Sequence, residues 1–195
     1  RNPAWYGAAP AFDRIRFITV SSTATLEANL LSGAIDMIAG ELGLAIDQAL
    51  AFEKRHGGEY QVLYQAGLFY EHMDINLTQG AVADRAVRQA LLYAIDRQAL
   101  SDRLFGGKQP VANSPVSPLD QNLAQELPSY PYDPAKAAAL LEAAGWLPGA
   151  DGIRVKDGQR LALSMTTTAG DRTRELVQQV LQAQWKAAGI EVRID

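Results

Sequence analysis

Two histidines, a run of three threonines and a polar, proline-rich stretch are the residues of this 195-residue chain whose types and spacing could do chemistry. His56 follows Arg55 and precedes two glycines, which reads as an exposed turn. His72 stands between Glu71 and Asp74 in a stretch that reads as a strand. A metal centre needs three or four converging ligands. Side chains alternate along a strand, so Glu71, His72 and Asp74 cannot all converge, and His72 reads as a surface or seam histidine. Thr166 to Asp171, TTTAGD, places hydroxyls and a glycine ahead of a helix. Such a loop can offer donors to an anionic or carbonyl group, or it can simply cap the helix that starts near Arg172. Asn113 to Pro118, NSPVSP, is either a cleft-facing loop or a solvated surface. Trp5 and Tyr6 either stack on a ligand or pack in a core or seam.

Other chemistries find no residues to carry them. The chain contains no cysteine, which excludes disulfides, a thiolate nucleophile and Cys-bound zinc. Gly106-Gly107-Lys108 lacks the spacing of a phosphate loop, and no nucleophile elbow or dinucleotide fingerprint occurs. A serine hydrolase would need a base for Ser114 or Ser117, and neither histidine has a recognisable context for that role. The residues therefore point away from an enzyme. A net charge of −4 argues against nucleic acid, whose phosphates demand clustered Lys and Arg. No apolar run approaches the roughly 18–20 residues that cross a bilayer. With 48% apolar and 21% charged residues the composition is that of an ordinary globular chain. Arg1 opens without a leader, and IEVRID at the other end reads as a strand in progress, so both ends read as cut from something longer.

The elements that would position these residues follow from periodicity. Ile15 to Val20 and Ala34 to Ala39 read as strands flanking a helix over Thr23 to Leu31, a βαβ crossover with Gly33 as the left-handed helix stop. Ala45 to Lys54 reads as a helix, and Tyr60 to Tyr64 and Leu68 to Leu77 as two strands split by Gly67. From Asp84 the texture is helical, with Val87, Ala90, Leu91, Ala94 and Ile95 as the apolar stripe and Arg85, Arg88, Gln89 and Asp96 facing away. A long connection spans Gly106 to Tyr132, and connections of that length often carry a role. Asp133-Pro134 is a strong helix start, Gly145 its end, and Ala137, Leu140, Leu141 and Ala144 its buried side. Leu161 to Met165, a helix carrying Leu176, Val177, Val180, Leu181 and Ala187, and a strand through Ile190, Val192 and Ile194 form a second βαβ unit. The fold class expected is α/β, with mixed sheets flanked by helices.

Several blocks recur together in one known family. RNP with Trp5 and Tyr6, Asp13 through Phe17, LLSGAID ending at Asp36, DINL at Asp74 to Leu77, VRQALLYAIDRQAL ending at Leu100, and YPYDPAKAAALLEAAGW from Tyr130 to Trp146 stand in the order seen there. The chain resembles family 5 of the bacterial extracellular solute-binding proteins, the peptide- and nickel-type substrate-binding components of ABC importers. The resemblance implies a fragment of a two-lobed periplasmic-binding-protein type II fold, with residues 1–76 the end of lobe one and its hinge-crossing strands, and residues 77–195 most of lobe two. The motifs themselves are explicable as packing, so they identify the scaffold better than the ligand.

What the resemblance implies for function is capture of a small solute, a di- or oligopeptide above all, between two lobes and its delivery to an inner-membrane ABC permease. No cofactor and no nucleic-acid partner are expected. The membrane would be met only through an N-terminal anchor, the location would be periplasmic or cell-surface, and the protein would be a monomer. The alternative is a ligand-sensing domain of a transcriptional regulator built on the same lobes. Ligand-facing positions expected in such a trap are Tyr70 and His72 on the crossing strand, Asn113 and Ser114 in the long connection, and Thr167 and Thr168 before a helix.

Overall fold

The computed structural model describes residues 4–9, 11–40, 43–68, 70–78, 80–124 and 126–195. The opening RNP at residues 1–3 and Phe69 lie outside them. The chain divides into two compact units, Arg1–Arg55 and His56–Asp195.

In the first unit, helix α1 spans Thr23–Leu31 and helix α2 spans Ile46–His56, running just past the unit's edge. The Ser22 hydroxyl accepts from the Thr25 N–H and so caps α1. At the other end Gly33 has φ +73°, and the Ala34 N–H reaches back to the Asn29 carbonyl, as a left-handed stop requires. The two helices meet through the Gln48 amide, which donates to Thr23 Oγ1 at 3.0 Å, and through an Arg55–Glu27 ion pair at 3.1 Å. Phe52 alone among the unit's described hydrophobic residues is buried.

Among the described residues the βαβ crossover expected here does not form. Residues 14–20 and 34–39 carry no strand, and Phe17 and Met37 lie exposed. Trp5 and Tyr6 are also outside any core: Trp5 Nε1 donates to the Ala8 carbonyl, and the two rings sit 4.9 Å apart. A strand exists only as one partner of a ladder, and these segments have the residue types without a described partner.

The second unit holds the main core. Helices α3 (Arg85–Tyr93), α4 (Arg97–Phe105) and α5 (Pro134–Ala143) are followed by a meander of short strands β1 (Leu147–Pro148), β2 (Arg154–Lys156) and β3 (Gln159–Arg160). Strand β4 (Ala162–Met165), helix α6 (Arg172–Ala187) and strand β5 (Glu191–Ile194) complete the expected βαβ unit, with β4 and β5 parallel and Leu163 opposite Val192. One buried cluster joins Val87, Ala90, Leu91, Ala94 and Ile95 to Ala137, Leu141, Leu161, Leu181, Trp185 and Ile190. The α3 stripe is as expected. Leu140 and Ala144 are only partly buried.

The helical run from Asp84 is broken in two. Asp84 caps α3, and Asp96 caps α4 by accepting from the Ala99 N–H. The Asp96 N–H, released by the break, donates to Gln184 Oε1 of α6 at 3.0 Å. Helix α6 also differs from expectation. It buries Gln178, Leu181 and Trp185 and leaves Leu176 exposed. The amides explain the choice: Gln178 donates to the Met165 carbonyl and Gln182 to the Val192 carbonyl, so they satisfy backbone groups of the two-stranded sheet.

Arg154, a charged residue on the meander, is buried. It donates to the carbonyls of Ala188 (3.1 Å) and Trp146 (2.9 Å) and to Glu142 Oε1 (3.2 Å), joining the ends of α5 and α6. Beside it Gly189 has φ +84°, and a Cβ there would stand 2.9 Å from both Arg154 Cγ and the Gly152 carbonyl oxygen. Only glycine meets both demands.

Candidate functional site

The six expected ligand-facing residues all lie in the second unit, on three irregular segments. The strands expected over Tyr60–Tyr64 and Leu68–Leu77 are not formed among the described residues, and residues 70–78 face solvent. Period-two alternation nevertheless persists locally. The Tyr70 and His72 rings stack at 4.6 Å between centroids, and His72 Nε2 lies 3.5 Å from Asp74 Oδ2. Tyr70, His72 and Asp74 thus share one side of the segment, as residues two apart do in an extended chain.

Glu71, between them, reaches elsewhere. Its two carboxylate oxygens accept from Arg174 Nη2 at 2.9 Å and Arg174 Nε at 3.1 Å. The third nitrogen, Nη1, donates to Thr168 Oγ1 at 3.0 Å, and Asp171 Oδ2 lies 3.6 Å from Nε. The hydrogen bonds that Arg174 donates to Glu71, before that residue's charge, hold the guanidinium above the ordinary arginine value. One side chain on the first turn of α6 therefore links the 70–74 segment to the TTTAGD loop.

That loop also caps its helix. Asp171 Oδ1 accepts from the Arg174 N–H, and Glu175 Oε1 accepts from the Gly170 N–H. Thr167 is half-buried and Thr168 exposed.

Asn113 and Ser114 are held separately. Arg97, the first residue of α4, donates to the Ala112 carbonyl (2.8 Å), to Asn113 Oδ1 (3.1 Å) and to the Tyr130 carbonyl (3.2 Å). It thereby ties both ends of the long connection. Ser114 Oγ accepts from the Val116 N–H, a local turn contact. Ser117 Oγ donates to the Gly67 carbonyl at 3.0 Å, bringing the connection against the segment that leads to Tyr70.

Arg97 and Arg174 are the residues that sequence reading missed. Each is an arginine at the start of a helix, a placement that opposes the helix dipole, and that mismatch is the available sequence signal for a side chain recruited to something outside its helix. An open depression of about 400 Å³ lined by Gly80, Asp84, Trp146, Lys156 and Gln159 contains none of the six expected residues.

Residues 1–195 match the family model described as "Bacterial extracellular solute-binding proteins, family 5 Middle". The nickel-binding periplasmic protein of Escherichia coli K12 is 30% identical over the whole chain, which spans 37% of that protein. Among solved structures, NikA of Brucella suis in complex with Fe(III)-EDTA is 28% identical with a TM-score of 0.72, covering all of this chain and 39% of that one. The oligopeptide-binding protein of Thermus thermophilus, complexed with a pentapeptide, is 32% identical with a TM-score of 0.72, covering 89% of this chain and 31% of that one. The chain spans little more than a third of the length of such relatives.

Proposed function

Because the chain belongs to the bacterial extracellular solute-binding proteins of family 5, we propose that it forms part of the substrate-binding component of an ABC importer that captures a small solute, most of all a di- or oligopeptide, between two lobes. Residues 1–76 would complete one lobe with its crossing segments, and residues 77–195 would make most of the other. The ligand would be handed to an inner-membrane permease, from a monomeric binding protein located in the periplasm or at the cell surface. Relatives named for nickel and complexed with a pentapeptide support the solute class. The regulator alternative finds no support among these proteins.

The observation that carries the reading is the exposed Tyr70–His72 stack on a segment that Glu71 ties, through Arg174, to the hydroxyl-bearing Thr166–Thr168 loop. Stacked rings offer apolar area with polar edges, and hydroxyls can satisfy peptide N–H and C=O groups withdrawn from water. Capture needs no covalent step: a ligand that makes more favourable contacts in the closed state shifts the population toward it.

Calorimetry of the two-lobed protein against a pool of dipeptides to pentapeptides tests this. Tyr70→Ala and Thr168→Ala are expected to weaken binding while leaving the urea midpoint nearly unchanged. Unchanged affinity in both variants would place these residues outside the cleft, and absence of peptide binding would remove the peptide reading altogether.

A further inference from the structure

We propose that Arg174 is a positioning residue: its grip on Glu71 and Thr168 holds the 70–74 segment against the Thr166–Asp171 loop and fixes which way the Tyr70–His72 stack and the Thr168 hydroxyl are presented. The proposal deepens the binding reading above and rests on it for its affinity measurement only.

The need for such a device is visible in the segment itself. Residues 70–78 have no ladder and no buried side chain among those described, so neither sheet hydrogen bonds nor core packing fixes their place. What crosses from this segment to α6 is the Glu71–Arg174 pair, joining residues 103 apart in sequence. The pair is two-pronged, with two parallel N–H···O contacts, and this geometry fixes orientation as well as distance. With Glu71 drawn toward α6, alternation turns its neighbours Tyr70 and His72 the other way, where their rings stack.

The same geometry argues that Arg174 is not itself an anion receptor. All three guanidinium nitrogens are engaged, two by Glu71 and one by Thr168. A ligand carboxylate would have to displace Glu71 to reach it. Thr168, in turn, accepts with its hydroxyl oxygen, which leaves its proton free to be donated outward. Arg174 thus orients the Thr168 hydroxyl as well as the aromatic stack.

Energetically the contact is modest. Arg174 and Glu71 are 42% and 61% exposed, and exposed pairs contribute little to global stability. Its loss should therefore disturb local geometry without unfolding the chain, and that separation makes the role measurable.

The test uses the intact protein labelled with ¹³C at histidine Cε1, the His72 signal being assigned by its disappearance in His72→Gln. Stacking on Tyr70 displaces this resonance by ring current, with no ligand present. Arg174→Ala and Glu71→Ala are each expected to move it toward the free-histidine position, with unchanged far-UV circular dichroism. The double exchange Glu71→Arg with Arg174→Glu should restore it, because the opposite charges that hold the segment to α6 are re-formed between the same two positions. In calorimetry with the dipeptide-to-pentapeptide pool, each single variant should weaken binding about twofold to fivefold, the scale of an exposed ion pair. A His72 resonance that stays in place in both single variants, or that the double exchange fails to restore, overturns the proposal. Tighter peptide binding in Glu71→Ala also overturns it, since a freed Arg174 would then be a ligand contact. Should Arg174→Ala lose its fold, Glu71→Ala and the double exchange decide alone. Resonance shifts as expected with no peptide binding in any form would sink the peptide reading and leave the positioning role standing.

Discussion

Trp185 Nε1 donates a 3.0 Å hydrogen bond to the carbonyl oxygen of Leu91, joining α6 to the last turn of α3. The bond answers a defect that the helix break creates. The Leu91 carbonyl would ordinarily accept from the Ile95 N–H, but that donor turns to Leu92 instead. A buried helix-end carbonyl must then find a partner elsewhere, and an indole N–H from the other side of the core supplies it.

Trp185→Phe keeps most of the apolar volume and removes the donor. It is expected to destabilise by about 1–3 kcal/mol, the cost of leaving a buried carbonyl unsatisfied. Urea unfolding with an unchanged m-value checks this, and a loss below a few tenths of a kcal/mol would mean that water replaces the indole.

Leu91 and Leu141 are buried, whereas Leu140 is only partly covered. Leu→Ala at Leu91 or Leu141 is expected to cost about 2–5 kcal/mol, and at Leu140 clearly less. Equal losses at Leu140 and Leu141 in urea melts would contradict the packing described.

Asp133 Oδ1 accepts from the Lys136 N–H and starts α5, with Pro134 in its first turn. Asp133→Ala is expected to cost about 0.5–2 kcal/mol, and Asp133→Ser to recover most of it, since serine caps as well. Thermal melts of the three proteins give the order directly.

Arg160 Nη1 lies 2.7 Å from Asp151 Oδ2, and this hydrogen bond, with one from the Ile153 N–H, holds the Asp151 carboxyl below its ordinary value of 3.8. A depressed folded-state value stabilises the fold above 3.8 and is lost as pH falls through the folded value. Asp151→Asn should accordingly be less stable than the parent at pH 6, with the gap closing as the pH is lowered past 3.8 and also shrinking in high salt. A gap independent of pH would assign the effect to the backbone turn.

The legible part of the fold is the part whose determinants are local. The Asp133-Pro134 start, the Gly33 stop and the α3 stripe were readable because each is decided within one or two turns of chain. Three features were not. The break at Ala94–Asp96 depends on Gln184 and Trp185, some ninety residues away. The burial of Gln178 runs against its polarity and makes sense only beside the Met165 carbonyl. The strands read at Ile15 to Val20, Ala34 to Ala39 and Leu68 to Leu77 have strand composition, but a ladder is a property of two segments and not of one. At the candidate site the residue types drew notice while their organisers did not, because Arg97 and Arg174 are recognisable only by what they reach.

That residues 70–78 pair in no ladder among the described residues also bears on how such a protein changes over generations. Substitutions there leave the buried cluster around Leu141 and Trp185 untouched, so drift at Tyr70 or His72 meets little resistance from folding. A new side chain on this face can be tried without a compensating stabiliser having been acquired first, provided the Glu71–Arg174 pair keeps the segment in place. Inheritance can hold the scaffold constant while the displayed surface diversifies.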